Sequence, residues 1–118
     1  MTKALEREGY TPPGVFRLSE DALAVGRAFL EAARKAAPGK DWVVSFDWCH
    51  FHGRPPGGAW QDFGEQLSVG GRERHEVPVE ALHEVDGFQF TVKVPPEVQR
   101  DLAKRLIDTD DDSHCVLK

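Results

Sequence analysis

Cysteine is nearly absent. Cys49 and Cys115 are the two in 118 residues, too few for a disulfide scaffold and ordinary for a reduced compartment. No apolar run comes near the roughly 20 residues that a membrane-spanning helix needs. The opening stretch, MTKALEREGYTPPG, has no apolar segment of the secretory kind. A cytoplasmic protein with no membrane partner is therefore expected. Basic residues are also short: 15 Lys and Arg stand against 20 Asp and Glu, for a net charge of −5, and no Lys/Arg run offsets the deficit. Neutralising phosphates takes a basic surface, so nucleic acid is not an expected partner. Gly57-Gly58 and Gly70-Gly71 match no phosphate-loop pattern. The acidic run Asp108-Thr109-Asp110-Asp111-Asp112 lacks the calcium loop's glycine, since its sixth position is Ser113.

What is present is the composition of a folded domain. Apolar residues make up 40% and charged residues 30%, with three Trp and seven Phe to build a core of large rings. The length is that of one domain and suffices to bury a core without metal or disulfide. Residues 1–14 read as an arm, a helix-like scrap followed by the Pro12-Pro13 break. Val15–Leu18 reads as a short strand. Ser19 then caps a helix over Glu20–Ala37, with Glu20 and Asp21 where the dipole favours acids. Ala22, Val25, Phe29, Ala32, Ala33 and Ala36 recur at helical spacing, and Pro38-Gly39 stops the run.

Trp42–Cys49 alternates as a strand does. Val44, Phe46 and Trp48 share one face; Val43, Ser45, Asp47 and Cys49 share the other. Continued, the strand adds His50 and His52 to the Trp48 face. A Pro/Gly loop follows at 53–58. A short strand at 66–69, a Gly70-Gly71 turn and a second strand at 72–77 are expected next, then a helical turn at 79–83 and an Asp86-Gly87 turn. Phe88, Phe90, Val92 and Val94 alternate as a half-buried strand. Pro96 opens a helix over 97–108 carrying Val98, Leu102 and Leu106. An acidic tail, 109–118, closes the sequence. The order implies a single small α+β domain at 15–108, with a mixed or antiparallel sheet that has one wet face, flanked by an N-terminal and a C-terminal helix.

Three segments, FRLSEDALAVGRAFLEAAR, DWVVSFDWC and HEVPVEALHEVDGFQFTVKV, resemble the HesB-like iron–sulfur assembly domain, the fold of the A-type carriers, over roughly half of the chain. The resemblance implies that fold and a non-catalytic carrier or scaffold for an iron–sulfur cluster or a transition metal, acting as a homodimer or with a protein partner. Cys49 matches the family's first ligand by position, though without its flanking glycines. Cys115 matches only as a tail cysteine where the family has a Cys-Gly-Cys pair.

Read by their own chemistry, Cys49, His50 and His52 are ligand types that suit zinc, iron or a cluster. A strand puts Cys49 and His50 on opposite faces, so convergence needs a turn near Gly53. A four-ligand site would need His114 and Cys115 to fold back as well. The plainer reading makes Cys49 a small buried hydrophobe and the histidines a polar strand end. A nucleophilic Cys49 with Asp47 and a histidine has no local signature behind it. Trp60 and Phe63, beside the Pro/Gly loop, are candidates for an exposed contact patch. The alternative to a metal carrier is thus a metal-free domain of the same fold that works by protein contact.

Overall fold

Ser19 starts the one long helix. In the computed structural model, which describes residues 3–11, 17–102, 104–111 and 114–118, and of Phe63 only the backbone, helix α2 spans Glu20–Ala36, preceded by a short helix α1 at Lys3–Arg7. The Ala22 amide donates to the Ser19 hydroxyl oxygen at 3.0 Å, which satisfies one of the free amides of the first turn. The expected helix is therefore present, but its inward stripe differs. Ala22, Gly26 and Leu30 are buried, Ala32 and Ala36 are exposed, and Phe29 is 36% exposed. Gly26 explains the rotation. A Cβ there would stand 2.9 Å from the Phe88 ring and 3.4 Å from the Phe46 ring, so the bare backbone lets α2 lie directly on the aromatic floor of the sheet.

That floor belongs to a four-stranded sheet ordered β3-β2-β5-β4. Its strands are β2 (Trp42–Gly53), β3 (Gln61–Glu73), β4 (His83–Val85) and β5 (Phe88–Lys93). β2 runs antiparallel to β3 and parallel to β5, and β4 is antiparallel to β5. A three-stranded sheet, ordered β1-β6-β7, joins β1 (Arg17–Leu18), β6 (Leu106–Thr109) and β7 (Cys115–Leu117). The protein is a small α+β domain with mixed sheets, as its sequence implies. One core joins both sheets to α2: Val44, Phe46, Phe90, Val92, Leu102, Ile107 and Cys115 all belong to it, with Trp42 and Trp48 packed at its margin. Among the described residues no helix is long and apolar enough to cross a membrane.

Several expectations need correction. Gly70-Gly71 is not a turn. β3 runs through it, and Arg74–Glu76 is a single 3-10 turn where the second strand was expected. Gly71 serves packing instead: a Cβ would meet Phe29 at 3.1 Å and Trp42 at 3.3 Å. The last helix, α3, covers Pro96–Leu102 only, and Leu106–Thr109 is strand. The acidic tail includes β7, whose Cys115 is buried against the core. The second face of the four-stranded sheet is not wet at its centre, since Val43, Ser45 and Thr91 are fully buried. The arm follows β5 there, with the Thr11 amide bonded to the Val92 carbonyl and the Lys93 ammonium 5.1 Å from the Tyr10 ring. Tyr10, Val77 and Ala81 form a second, smaller apolar cluster. The expected break at 12–14 and the start of the first strand at 15–16 lie outside the described residues.

The helix cap and the small sheet are tied together. The Ser19 hydroxyl donates to Asp108 Oδ1 at 2.6 Å, and the Lys118 ammonium donates to Asp108 Oδ2 at 3.1 Å. The Ser19 hydroxyl, then the Thr109 amide and Lys118, hold the Asp108 carboxyl at about 2, below its ordinary value of about 3.9. The folded chain thus takes up this proton less readily than the unfolded chain. The stabilisation is complete above pH ~4 and is lost as the pH falls towards ~2. Asp108→Asn is expected to lower the urea midpoint at neutral pH and to match the parent near pH ~2, as equilibrium denaturation at a series of pH values would record.

Candidate metal centre

The hairpin of β2 and β3 positions the two histidines that the sequence singles out. His50 and His52 sit two apart on β2 and share a face, as strand alternation requires. Their rings lie 5.9 Å apart. The strand pairing carries an irregularity here: Phe51 pairs with Gly64 but His52 pairs with Asp62, so position 63 is the extra residue of a bulge. Gly64 has a φ of +76°, a conformation that costs glycine little and suits it to a bulge. The shift brings Asp62 to the histidines. The His50 Nε2–H donates to Asp62 Oδ1 at 2.8 Å. The Gly64 amide donates to the same oxygen at 2.8 Å. That amide, and after it the His50 ring, holds the Asp62 carboxyl below the usual range, so Asp62 is an anion at neutral pH. Trp60 closes the group. It is 66% exposed, and its ring lies 5.1 Å from that of His52, limiting the imidazole's freedom on one side.

The thiols lie elsewhere. Cys49 is half-buried and points to the other face of β2, where it lines a depression with Asp47, Arg72 and Lys93. Beside it Asp47 accepts from the Ser45 hydroxyl at 2.7 Å and from Arg72 at 3.2 Å. Cys115 is buried in the main core to which Val44, Phe46 and Leu67 also belong. Burial first, then the nearby Asp110 and Asp108 carboxylates, push its thiol up to about 11, so it is protonated at neutral pH and a poor ligand as it stands. His114 is exposed, with its Nδ1 3.7 Å from the Asp110 carboxylate. The structure therefore brings His50 and His52 together and adds Asp62 and Trp60. It leaves Cys49 on the far face and keeps His114 with Cys115 on β7. The Phe63 side chain lies outside the described ones.

A second cluster went unread in the sequence. The donor atoms of Glu73, His75 and Glu76 lie within 4.8 Å of one another. Both carboxylates already serve a capping box around the 3-10 turn: Glu76 accepts from the Glu73 amide, and Glu73 from that of Glu76. This account is complete without an ion. The Glu-x-x-Glu spacing would have shown the cap, but not the approach of His75.

No family model matches the chain, and no curated protein and no solved structure matches it either. What the site can do rests on its donors. Two imidazoles and a carboxylate are a ligand set for zinc, iron(II) or a similar divalent ion, with coordination positions left for water or a partner. Ligands of a tetrahedral zinc ion at ~2.0 Å stand roughly 3.3 Å apart. His50 and Asp62 stand 2.8 Å apart, but the donor atoms of His50, His52 and Asp62 do not all lie within 4.8 Å of one another, so an ion would have to draw the exposed His52 ring inward.

Proposed function

We propose that this domain is a metal-binding carrier or scaffold that holds a divalent transition ion at the hairpin end through His50, His52 and Asp62. The observation that carries the reading is the His50–Asp62 contact at 2.8 Å beside a second histidine on the same strand face. A bulge that turns an ionised carboxylate towards two imidazoles is the kind of local irregularity that functional sites employ. The exposed setting suits loading and transfer of an ion better than permanent structural retention, since structural zinc sites close all four positions with protein ligands. An iron–sulfur cluster is the less favoured form of the same reading, because Cys49 and Cys115 occupy opposite faces of one sheet. Such a cluster would need thiolates from a second chain.

Zinc content after loading and exhaustive dialysis tests the proposal. One equivalent is expected in the parent and in Cys49→Ser. His50→Ala/His52→Ala should retain almost none, and His75→Ala should retain the full amount. Full loading of the double variant, or loss in His75→Ala alone, would move the ion to the capping-box cluster and overturn the assignment. A protein that takes up no zinc leaves the contact reading, in which Trp60 at 66% exposure is the anchor offered to a partner.

A further inference from the structure

β3 is an edge of the four-stranded sheet, and its main-chain groups can be assigned to one side or the other. The Arg74 amide donates to the Asp41 carbonyl at 2.8 Å, and these residues stand opposite each other, one step beyond Trp42 and Glu73. Bonded pairs alternate with unbonded ones along an antiparallel ladder. Arg72, Gly70 and Ser68 therefore bond to β2, while Gly71, Val69 and Leu67 turn their N–H and C=O groups outward. The other neighbour of β2 agrees. Val92, opposite Phe46, gives its carbonyl to the Thr11 amide, and the Val94 amide goes to the Gly9 carbonyl. Phe46 thus directs its own groups to β5 and has none for Val69. Among the described residues no main-chain hydrogen bond reaches Leu67 or Val69 from the outer side, and β7 pairs only with β6.

Proteins usually blunt such an edge with a Lys, a Pro or a bulge. The run Gln66-Leu67-Ser68-Val69-Gly70-Gly71 has no charge and no Pro, and the bulge lies before it, at position 63. A groove of about 490 Å³ lies along the same residues, within the roughly 300–1,000 Å³ of binding sites. Four consecutive residues of β3, 66–69, line it, and consecutive residues point to opposite faces, so the groove follows the edge itself. Val25 of α2 and Phe51 of β2 add apolar walls, and no Asp, Glu, Lys or Arg lines it. Main-chain donors and acceptors at every second residue match the repeat of an extended chain, and the uncharged walls match apolar side chains.

We infer that this edge takes up an extended, uncharged segment of a partner protein as an added strand, bonded to the main chain of Leu67 and Val69 and seated beside α2. Backbone bonds supply the alignment, and the Val25 and Phe51 walls select for apolar side chains. The site is independent of the metal reading, because none of His50, His52 and Asp62 lines it.

The test is an NMR titration of the full ¹⁵N-labelled chain with the capped heptapeptide acetyl-KVTVTVK-amide and two analogues, one N-methylated on its valines and one on its threonines. In an added strand one set of amides faces β3 and the other faces away. The parent peptide is expected to saturate, to move the Leu67 and Val69 amide signals and to slow their hydrogen exchange. One analogue should bind at least about tenfold more weakly and the other within about threefold of the parent peptide. Val25→Lys, a change at a half-buried helix position, should weaken binding with the fold retained, and His50→Ala/His52→Ala should bind as the parent does. No saturable binding, shifts centred away from Leu67 and Val69, or equal behaviour of the two analogues would overturn the inference. Shifts of these amides with protein concentration alone would give the edge to a second copy of the chain and overturn it too.

Discussion

Phe46→Ala is expected to destabilise the fold by ~3–5 kcal/mol, the cost of removing a buried phenylalanine and leaving the cavity. Phe46 is fully buried. It meets Phe90 edge to face, with centroids 5.7 Å apart, and its ring tip faces the bare backbone of Gly26. Three elements therefore lose contact at once: α2, β2 and β5. Collapse into the gap is resisted because α2 already rests on the neighbouring Phe88 ring. Against a total stability of about 5–15 kcal/mol, the loss would take much of the margin. Urea denaturation should show a lower midpoint with an unchanged slope. Val79→Ala, at an 84% exposed position, is the matched control and should stay within about 0.5 kcal/mol of the parent. A loss below about 1 kcal/mol for Phe46→Ala would mean that α2 does not rest on this ring.

Ile107→Ala is expected to cost ~2–5 kcal/mol, again as a transfer loss plus a cavity. Ile107 is fully buried and sits at the centre of the small sheet, paired with Leu18 on one side and Leu117 on the other. It belongs to the same core as Phe46. Were it the frayed end of a helix, as the spacing of Val98, Leu102 and Leu106 invites, its truncation would be close to neutral. The same urea experiment separates the two cases without ambiguity.

The contrast between these residues shows what was legible. Phe46 lies in a run of strict alternation flanked by turn signals, and α2 carries its own cap and stop. For such segments local pattern and tertiary packing agree. β6 has four residues and two adjacent apolar side chains, too few to tell a strand from the end of a helix. Its identity comes from β1, some ninety positions earlier, with which it pairs. Gly70-Gly71 misled for a related reason. A glycine pair is read as a turn because glycine permits positive φ, yet Gly71 is set by the bulk of Phe29 and Trp42 above it, which only the folded arrangement reveals. The candidate site divides along the same line. His50 and His52 were legible because strand parity alone puts them together. Asp62 was not, because its approach depends on a bulge in the partner strand, and one residue's slip in register would turn it to the other face. The separation of Cys49 from Cys115 likewise depends on how the two sheets pack.

The parallel register of β1 and β6, Arg17 beside Leu106, has a kinetic consequence. A hairpin such as β2–β3 closes with a short loop, but this pairing must draw together nearly the whole length of the domain. Loop-closure entropy sets that contact late. During synthesis α2 and the hairpin emerge and can associate while β6 is still unmade. The Ser19 cap of α2 thus spends that interval without its Asp108 partner, and the small sheet seals the molecule last.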